Sequence, residues 1–429
     1  NENEEYLPPL GLGYIATYLG KEKIDVEIID CVKERKSKEE IIKFINNSSF
    51  QYISANIFTP NYEIVKKIIE SITIECEIFI GGQVVKSIFQ DILKWNVKNK
   101  MNIIIGEGEL IIPQLVLGKC EQEPEKVESN KFVYRVNKES KYFPKDVSKI
   151  FLNRDYLKEE VIINHYSEKE VSIITSRGCI YDCAFCGGAS SLNKDSNPRI
   201  RTKESIIQEI KEIVSRYPDV KSIRILDDLF LRNKESIDTV KEIFSNFPEL
   251  SWRGMAHVGV LKKTFSKIED LKESRCKELF IGIESGSNKI REKIRKSGTI
   301  KDILEVSSKI LEVGIDIKGY FIYGFPEETE EDFKKTLEVA KKIKEISLKT
   351  SGQFRTSVFQ FRPYHGTQLY DEIIKIRGSI PECKINNSLN SNKEEEGRNQ
   401  FNFTSGNYSK ASDAKLEEYI LKTQKLTKE

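Results

Sequence analysis

Val171-Ser172-Ile173-Ile174-Thr175-Ser176-Arg177-Gly178-Cys179-Ile180-Tyr181-Asp182-Cys183-Ala184-Phe185-Cys186-Gly187 is the stretch on which the reading of this chain turns. Its first five residues are rich in β-branched side chains and read as a buried strand. Ser176-Arg177-Gly178 is turn-like, and Cys179, Cys183 and Cys186 follow it in one loop. Thiolates are soft ligands that suit iron–sulfur clusters. Three of them can reach three corners of a cubane and leave the fourth iron open to a substrate. A structural zinc ion is the competing reading; it needs a fourth ligand, for which His165 or His257 would serve. The remaining cysteines, Cys31, Cys76, Cys120, Cys276 and Cys383, are scattered singly. That pattern suits small buried apolar residues in a reducing cytosol better than a disulfide framework.

Downstream of the loop the sequence alternates strand and helix. Strands are expected at 171–175, 222–226, 252–258, 278–283, 315–322 and 354–361. Between the first two, Ile206, Ile207, Ile210, Ile213 and Val214 recur on one helical face, with Thr202 as the N-cap. Six such units imply a TIM-like barrel, or three-quarters of one. Asp227-Asp228 and His257 end the second and third strands, where they face the active end or cap and pair locally. The polar stretch 384–399 reads as a mobile loop and 414–426 as a last helix.

Cys179-x3-Cys183-x2-Cys186, with Phe185 before the last cysteine and Gly187 after it, resembles the signature of the radical S-adenosylmethionine (SAM) superfamily. The resemblance implies a 4Fe–4S cluster on Cys179, Cys183 and Cys186. The amino and carboxylate groups of SAM would chelate its open iron, and an electron donor such as flavodoxin or ferredoxin would supply the cluster. Reductive cleavage of SAM would then give a 5′-deoxyadenosyl radical. Ile281-Gly282-Ile283-Glu284-Ser285-Gly286-Ser287 resembles the family's fourth-strand segment, and Phe321-Ile322-Tyr323-Gly324-Phe325-Pro326-Glu327-Glu328-Thr329 the strand and turn beside the adenine. By that resemblance Phe185, Gly187, Gly282, Glu284, Ser285, Tyr323 and Gly324 are SAM contacts. For Glu284 the alternative is an ion pair with Arg253 on the neighbouring strand.

The first part of the chain alternates in shorter units. Strands are expected at 25–30, 52–58, 77–80 and 102–105, and helices at 38–45 and 61–72, which gives a parallel sheet covered on both faces. Ligands bind at the carboxyl ends of such strands. Pro8-Pro9-Leu10-Gly11-Leu12-Gly13-Tyr14, Gly81-Gly82 and Gly106-Glu107-Gly108-Glu109 together resemble the cobalamin-binding domain found before many radical SAM barrels. The resemblance makes Thr59, Gly81, Gly82, Gln83, Gly106, Glu107 and Gly108 the cobalamin contacts. The family's Gly-Gly-x-His is here Gly81-Gly82-Gln83-Val84, and no Asp-x-His-x-x-Gly occurs, so no histidine ligand to cobalt is expected. His165, His257 and His365 all follow the first domain. The family's Pro-x-Pro-Gly-Thr becomes Pro363-Tyr364-His365-Gly366-Thr367, where His365 is a surface turn residue or a substrate-facing acid or base.

The expected fold is therefore α/β. A Rossmann-like cobalamin-binding domain at 1–118 is followed by a linker at 119–170, a partial (β/α)6 TIM-like radical SAM barrel at 171–370 and a C-terminal extension at 371–429 that covers the barrel mouth. The chain opens without an initiator Met, so a first strand is expected to be missing from it. Its 429 residues carry a net charge of +2, with no basic excess that would argue for nucleic acid. No window offers the roughly 18 consecutive apolar residues of a membrane span, and the start is not a signal peptide. The expectation is a cytoplasmic enzyme, cobalamin-dependent, that transfers methyl groups to an unactivated carbon or phosphorus of a small molecule or peptide. The alternative is a ring-forming, ring-contracting or rearranging enzyme with the same cofactors. Methylthio transfer is disfavoured, because Cys31, Cys76 and Cys120 are too widely spaced for a second cluster.

Overall fold

The computed structural model describes residues 6–381 apart from 32 and 35, together with 384–385 and 403–427. Five strands form the first sheet: β1 (Tyr52–Asn56), β2 (Glu77–Gly81), β3 (Met101–Gly106), β4 (Lys126–Glu128) and β5 (Lys131–Val136). Their order is β1-β2-β3-β5-β4, and only β4 runs antiparallel. Both faces are buried. Ile78, Ile80, Ile103 and Ile105 pack under Val85, Ile88 and Ile92, while Phe79, Ile104 and Tyr134 pack on the other side against Leu19 and Ile112. Continuous apolar strands are what a doubly covered parallel sheet requires.

Two expectations for this half are corrected. Residues 25–30 form no strand. Ile24 and Val26 contribute side chains to the core, but their backbone belongs to no ladder of the sheet. Residues 119–170 are more than a linker, because β5 pairs with β3 over its whole length. Phe132, Val133, Tyr134 and Val136 supply the aromatic and β-branched side chains of a strand, and its partner lies far enough back in sequence to be invisible locally.

The second sheet contains β6 (Ile162–Ile163), β7 (Lys169–Ile173), β10 (Ser222–Ile225), β11 (Ser251–Ala256), β12 (Cys276–Glu284), β13 (Asp316–Tyr323) and β14 (Phe354–Gln360). Between β7 and β10, the short pair β8 (Ser176–Arg177) and β9 (Arg199–Ile200) closes the neck of the cysteine loop. The order β14-β13-β12-β11-β10-β7-β6, parallel except for β6, is a curled open barrel with β14 unpaired to β7. Its helices pack outside: Lys203–Arg216, capped by Thr202 as expected, buries Ile206, Ile210 and Ile213. The last helix, Asp413–Lys425, also packs on the outside, where Thr423 bonds the Tyr323 hydroxyl at 2.7 Å and its carbonyl accepts from Thr356. From the expected mouth-covering extension, the turn holding Ser405 and Tyr408 does lie near the strand ends, against Phe361. Most of 384–399, and Phe401 and Asn402, fall outside the described residues. No described helix is long and apolar enough to cross a membrane.

Charge, not only hydrocarbon, fills the lower barrel. Arg253 sends Nε and Nη2 to Glu170 at 2.7 and 2.6 Å and Nη1 to Glu278 at 2.8 Å, and all three side chains are fully buried. Arg355 donates twice more to Glu278. Burial alone would push these carboxyl groups up. Arg253 on Glu170, and Arg355 and Arg253 on Glu278, outweigh it and hold both below the usual carboxylate range. Their contribution to stability is therefore complete at neutral pH and is lost as pH falls through the depressed values. Removing one partner strands a buried charge, so Arg253→Leu should cost about 3–5 kcal/mol. Urea unfolding followed by tryptophan fluorescence reads this, since Trp252 is its buried neighbour. A cost below about 1 kcal/mol, the scale of an exposed pair, would show that the network is dispensable.

Candidate active site

The cysteine loop leaves β8 at Gly178, which takes φ +87°, a conformation open to glycine. Its shape is fixed from several sides. Ala184 N donates to Ile294 O, Leu369 N donates to Ala184 O, and Asp182 pairs with Arg295 at 2.8 Å. Phe185 meets Phe325 edge-on at 5.5 Å. The sulfurs of Cys179 and Cys186 each accept a backbone N–H at 3.4 Å, from Tyr181 and Gly188. Burial raises all three thiols, Cys186 to about 12, so loading a metal must expel their protons. Among the described residues no Cys, His, Asp or Glu trio is compact enough to hold a single ion. A cubane spreads its thiolates over separate irons, and three soft donors on one loop, two already stabilised by amides, fit it.

Facing the loop is the end of β12. Glu284 has φ +62°, a strained value for a side chain with a Cβ, and the register with β13 slips between Gly282 and Glu284. Its carboxylate meets Lys296 Nζ at 3.0 Å, and both side chains are buried. Arg253, the expected alternative partner, is occupied by Glu170 and Glu278 instead. A Cβ on Gly282 would sit 2.3 Å from Glu284 Oε1 and 2.7 Å from Lys296 Nζ, so a larger residue there would displace this ion pair. Burial lowers the Lys296 ammonium, but Glu284 and Cys183 outweigh it and keep it raised and charged. Arg291 ties the segment down, donating to Ile283 O, to Ser297 O at 2.8 Å and to Gly298 O at 2.9 Å.

Other expected SAM contacts lie differently. Ser285 turns toward Thr336 on the outer helix, at 3.3 Å. Tyr323 points outward to Thr423, leaving only its backbone at the site, and Gly324, at φ +96°, has Leu416 behind it. Glu328 braces this turn by accepting from Gly324 N and Phe325 N, and burial pushes its carboxyl up to about 8. Asp227 is a local brace too, accepting from Thr175 and Ser176. Asp228 lies beside Gly188 and Cys186.

The strand ends of the first sheet meet this loop. A Cβ on Gly187 would lie 2.2 Å from Gln83 Nε2, so Gln83 covers the residue after the last cysteine. Glu107 pairs with Arg177 at 2.6 Å and with Arg199, one on each side of the loop neck, and Glu109 adds a second bond to Arg177. Thr59 Oγ1 lies 2.9 Å from His365 Nδ1 and accepts from His365 N at 3.2 Å. Three side chains expected on cobalamin are thus turned to the barrel. The glycines divide. Gly81 has nothing where a Cβ would be, whereas Gly82 packs on Ile57 backbone, Gly106 on Val136 O and Gly108 on Ile112. The edge at Gly81 is uncrowded, which leaves room for a corrin ring beside it. His365 also corrects an expectation: it lies outside the first domain in sequence, yet the fold presses it against Thr59.

Lys296, Arg291, Arg177 and Arg199 were not singled out from sequence. In a chain with 32% charged residues, a lone Lys or Arg carries no signal; only the fold selects them.

Comparison with known proteins agrees with this geometry. Residues 173–340 match the radical SAM superfamily and residues 2–116 the B12 binding domain. An uncharacterized methyltransferase of Pyrococcus horikoshii is 29% identical over 388 residues, covering 86% of this chain and 78% of that protein. A tRNA-2-methylthio-N(6)-dimethylallyladenosine synthase of Finegoldia magna is 26% identical over 200 residues, covering 44% of this chain and 42% of the other. By fold, the radical SAM methyltransferase TsrM of Kitasatospora setae, solved with tryptophan and a SAM analogue, superposes with a TM-score of 0.62 at 15% identity, covering 93% of this chain and 81% of that one. The cobalamin-dependent SAM radical enzyme OxsB gives 0.61 at 15% identity, covering 94% and 62%. The chain is a radical SAM enzyme that carries a B12-binding domain ahead of its barrel, with a 4Fe–4S cluster, SAM and cobalamin as its cofactors.

Proposed function

We propose that the chain is a cobalamin-dependent methyltransferase acting on an unactivated carbon or phosphorus of a small molecule or peptide. The contact of Gln83 with Gly187 carries the reading, because it brings a strand end of the B12-binding domain against the cluster loop. When bound, the cluster and cobalamin supply one-electron chemistry on SAM and a carrier for a methyl group. Cys179, Cys183 and Cys186 hold the cluster. Glu284 accepts from the SAM amino group, drawing on the carboxylate that Lys296 now neutralises. The backbone at Gly282 and Gly324 leaves room for the nucleoside, and Phe185 walls the pocket. Gly81, Thr59 and Gln83 border the corrin, while Glu107 clamps the loop neck.

Methyl transfer is favoured over methylthio transfer by the first-domain cysteines. Cys76 lies beside Asn99, Cys120 packs near Tyr134, and Cys31 sits next to Asp30. They occupy separate elements and do not form a second cluster site.

Reconstituted anaerobically, the protein should hold about four irons and four sulfides, and Cys183→Ala should abolish both the cluster and SAM cleavage. A colourless zinc protein with full activity would overturn the assignment. Glu284→Gln should weaken SAM binding by about 1–3 kcal/mol with the cluster intact, measured by titrating SAM against the cluster's electron paramagnetic resonance. Unchanged affinity with a lowered melting temperature would make Glu284 structural. Cobalamin should bind base-off. Residues 1–118 contain no histidine, and the His365 ring is held at Nδ1 by the Thr59 hydroxyl, 2.9 Å away. A histidine nitrogen hyperfine signal in the cob(II)alamin state would contradict this, and failure to bind any corrinoid would remove the methyl-transfer mechanism.

A further inference from the structure

His257 stands just past the C-terminal end of β11, where its side chain is 7% exposed. Gly259 N donates to its Nδ1 at 3.0 Å. A backbone amide can only donate, so Nδ1 carries no proton, and the neutral ring must carry it on Nε2. Burial pushes this imidazole down to about 3, with Lys296 and Arg291 acting in the same direction, so the ring is neutral at physiological pH. The tautomer is thereby fixed by the fold.

Nε2 is buried and has no hydrogen-bond partner among the described residues. A buried donor left unmade costs about 1–3 kcal/mol, and native folds rarely tolerate one without a use. Its surroundings indicate the use. The imidazole stacks on Tyr181 with ring centres 3.8 Å apart and planes at 16°. Tyr181 lies between Cys179 and Cys183, and its own amide donates to Cys179 Sγ. The charged groups that act on His257 are both cations, Lys296 and Arg291. A fixed, buried N–H donor without a partner among the described residues, on a ring stacked against the cluster loop at a barrel strand end, is complementary to an anionic acceptor.

We propose that His257 Nε2–H donates a hydrogen bond to an anionic acceptor of the cluster–SAM complex, either a cluster sulfide or the SAM carboxylate. The proposal rests on the radical SAM reading of the site. It makes His257 a positioning and tuning residue, not an acid or base.

Two variants of the full-length reconstituted protein separate this role from helix capping. His257→Asn keeps a side-chain acceptor for Gly259 N but is too short to place a donor at the Nε2 position. His257→Phe keeps the stack on Tyr181 and loses both polar functions. If His257 only caps the helix, Asn restores both stability and cofactor behaviour to the native level. If Nε2 donates to a sulfide, both variants shift the SAM-free cluster's midpoint potential to more negative values, because hydrogen bonds to sulfur favour the reduced state. If it donates to the carboxylate, that potential stays put and the SAM dissociation constant rises about tenfold or more in both. Native potential and native SAM affinity in a cluster-loaded His257→Asn protein would overturn the proposal. A wild-type protein that assembles no cluster would instead overturn the proposed function, so the two failures are distinguishable.

Discussion

The cysteine loop is tied to the first domain at its base by the carboxylate of Glu107. Glu107, at the end of a strand in the first sheet, pairs with Arg177 on one side of the cysteine-loop neck and Arg199 on the other. The guanidinium groups are themselves stacked, Arg177 over Tyr14 and Arg199 over Phe143 at 4.2 Å, and Arg199 also donates to Pro144 O. Partial burial strengthens such bonds and makes each partner costly to lose. The consequence is geometric. A loop of some twenty residues between β8 and β9 is pinned at its base to the first domain, and the cysteines it carries have a defined position relative to that domain's strand ends. Gln83 over Gly187, Lys86 donating to Leu192 O at 2.8 Å, and Thr59 against His365 extend the same seam.

Above this seam the site is built from buried charges in pairs. Glu284 and Lys296 neutralise each other at the end of β12, within reach of Cys183, while Arg291 holds the backbone between them. A paired carboxylate can exchange one cation for another, which suits the role proposed for Glu284 as acceptor to the SAM ammonium. The lower barrel uses the same principle for stability alone. Arg253, Glu170 and Glu278 satisfy one another so fully that they are withdrawn from the chemistry.

The parts legible in the sequence were those written locally. Three cysteines in a turn after an apolar strand, glycines at strand ends and six strand–helix units depend on neighbours in the chain, and the barrel strands formed where the alternation placed them. What was not legible depends on pairing across distance. Residues 25–30 have the composition of a strand but no ladder, and 131–136 lie in a charged segment yet complete a sheet. Histidines counted by chain position seemed remote from the first domain, until the fold brought His365 to Thr59 across 306 residues. Lys296 was one lysine among many. The side chains of Tyr323 and Ser285 both turn to the outer layer, Tyr323 by strand parity and Ser285 after the register slip that ends its strand.

Under the proposed function, joining the cluster loop to the strand ends of the B12-binding domain lets one SAM give up its methyl group and another its adenosyl group in the same chamber. The most direct measurement is the ratio of S-adenosylhomocysteine to 5′-deoxyadenosine released in an anaerobic reaction with reduced enzyme and accepted substrate. The account predicts that both form in equal amounts, each matching the methylated product. Production of 5′-deoxyadenosine alone, with product formed at the same rate, would contradict it.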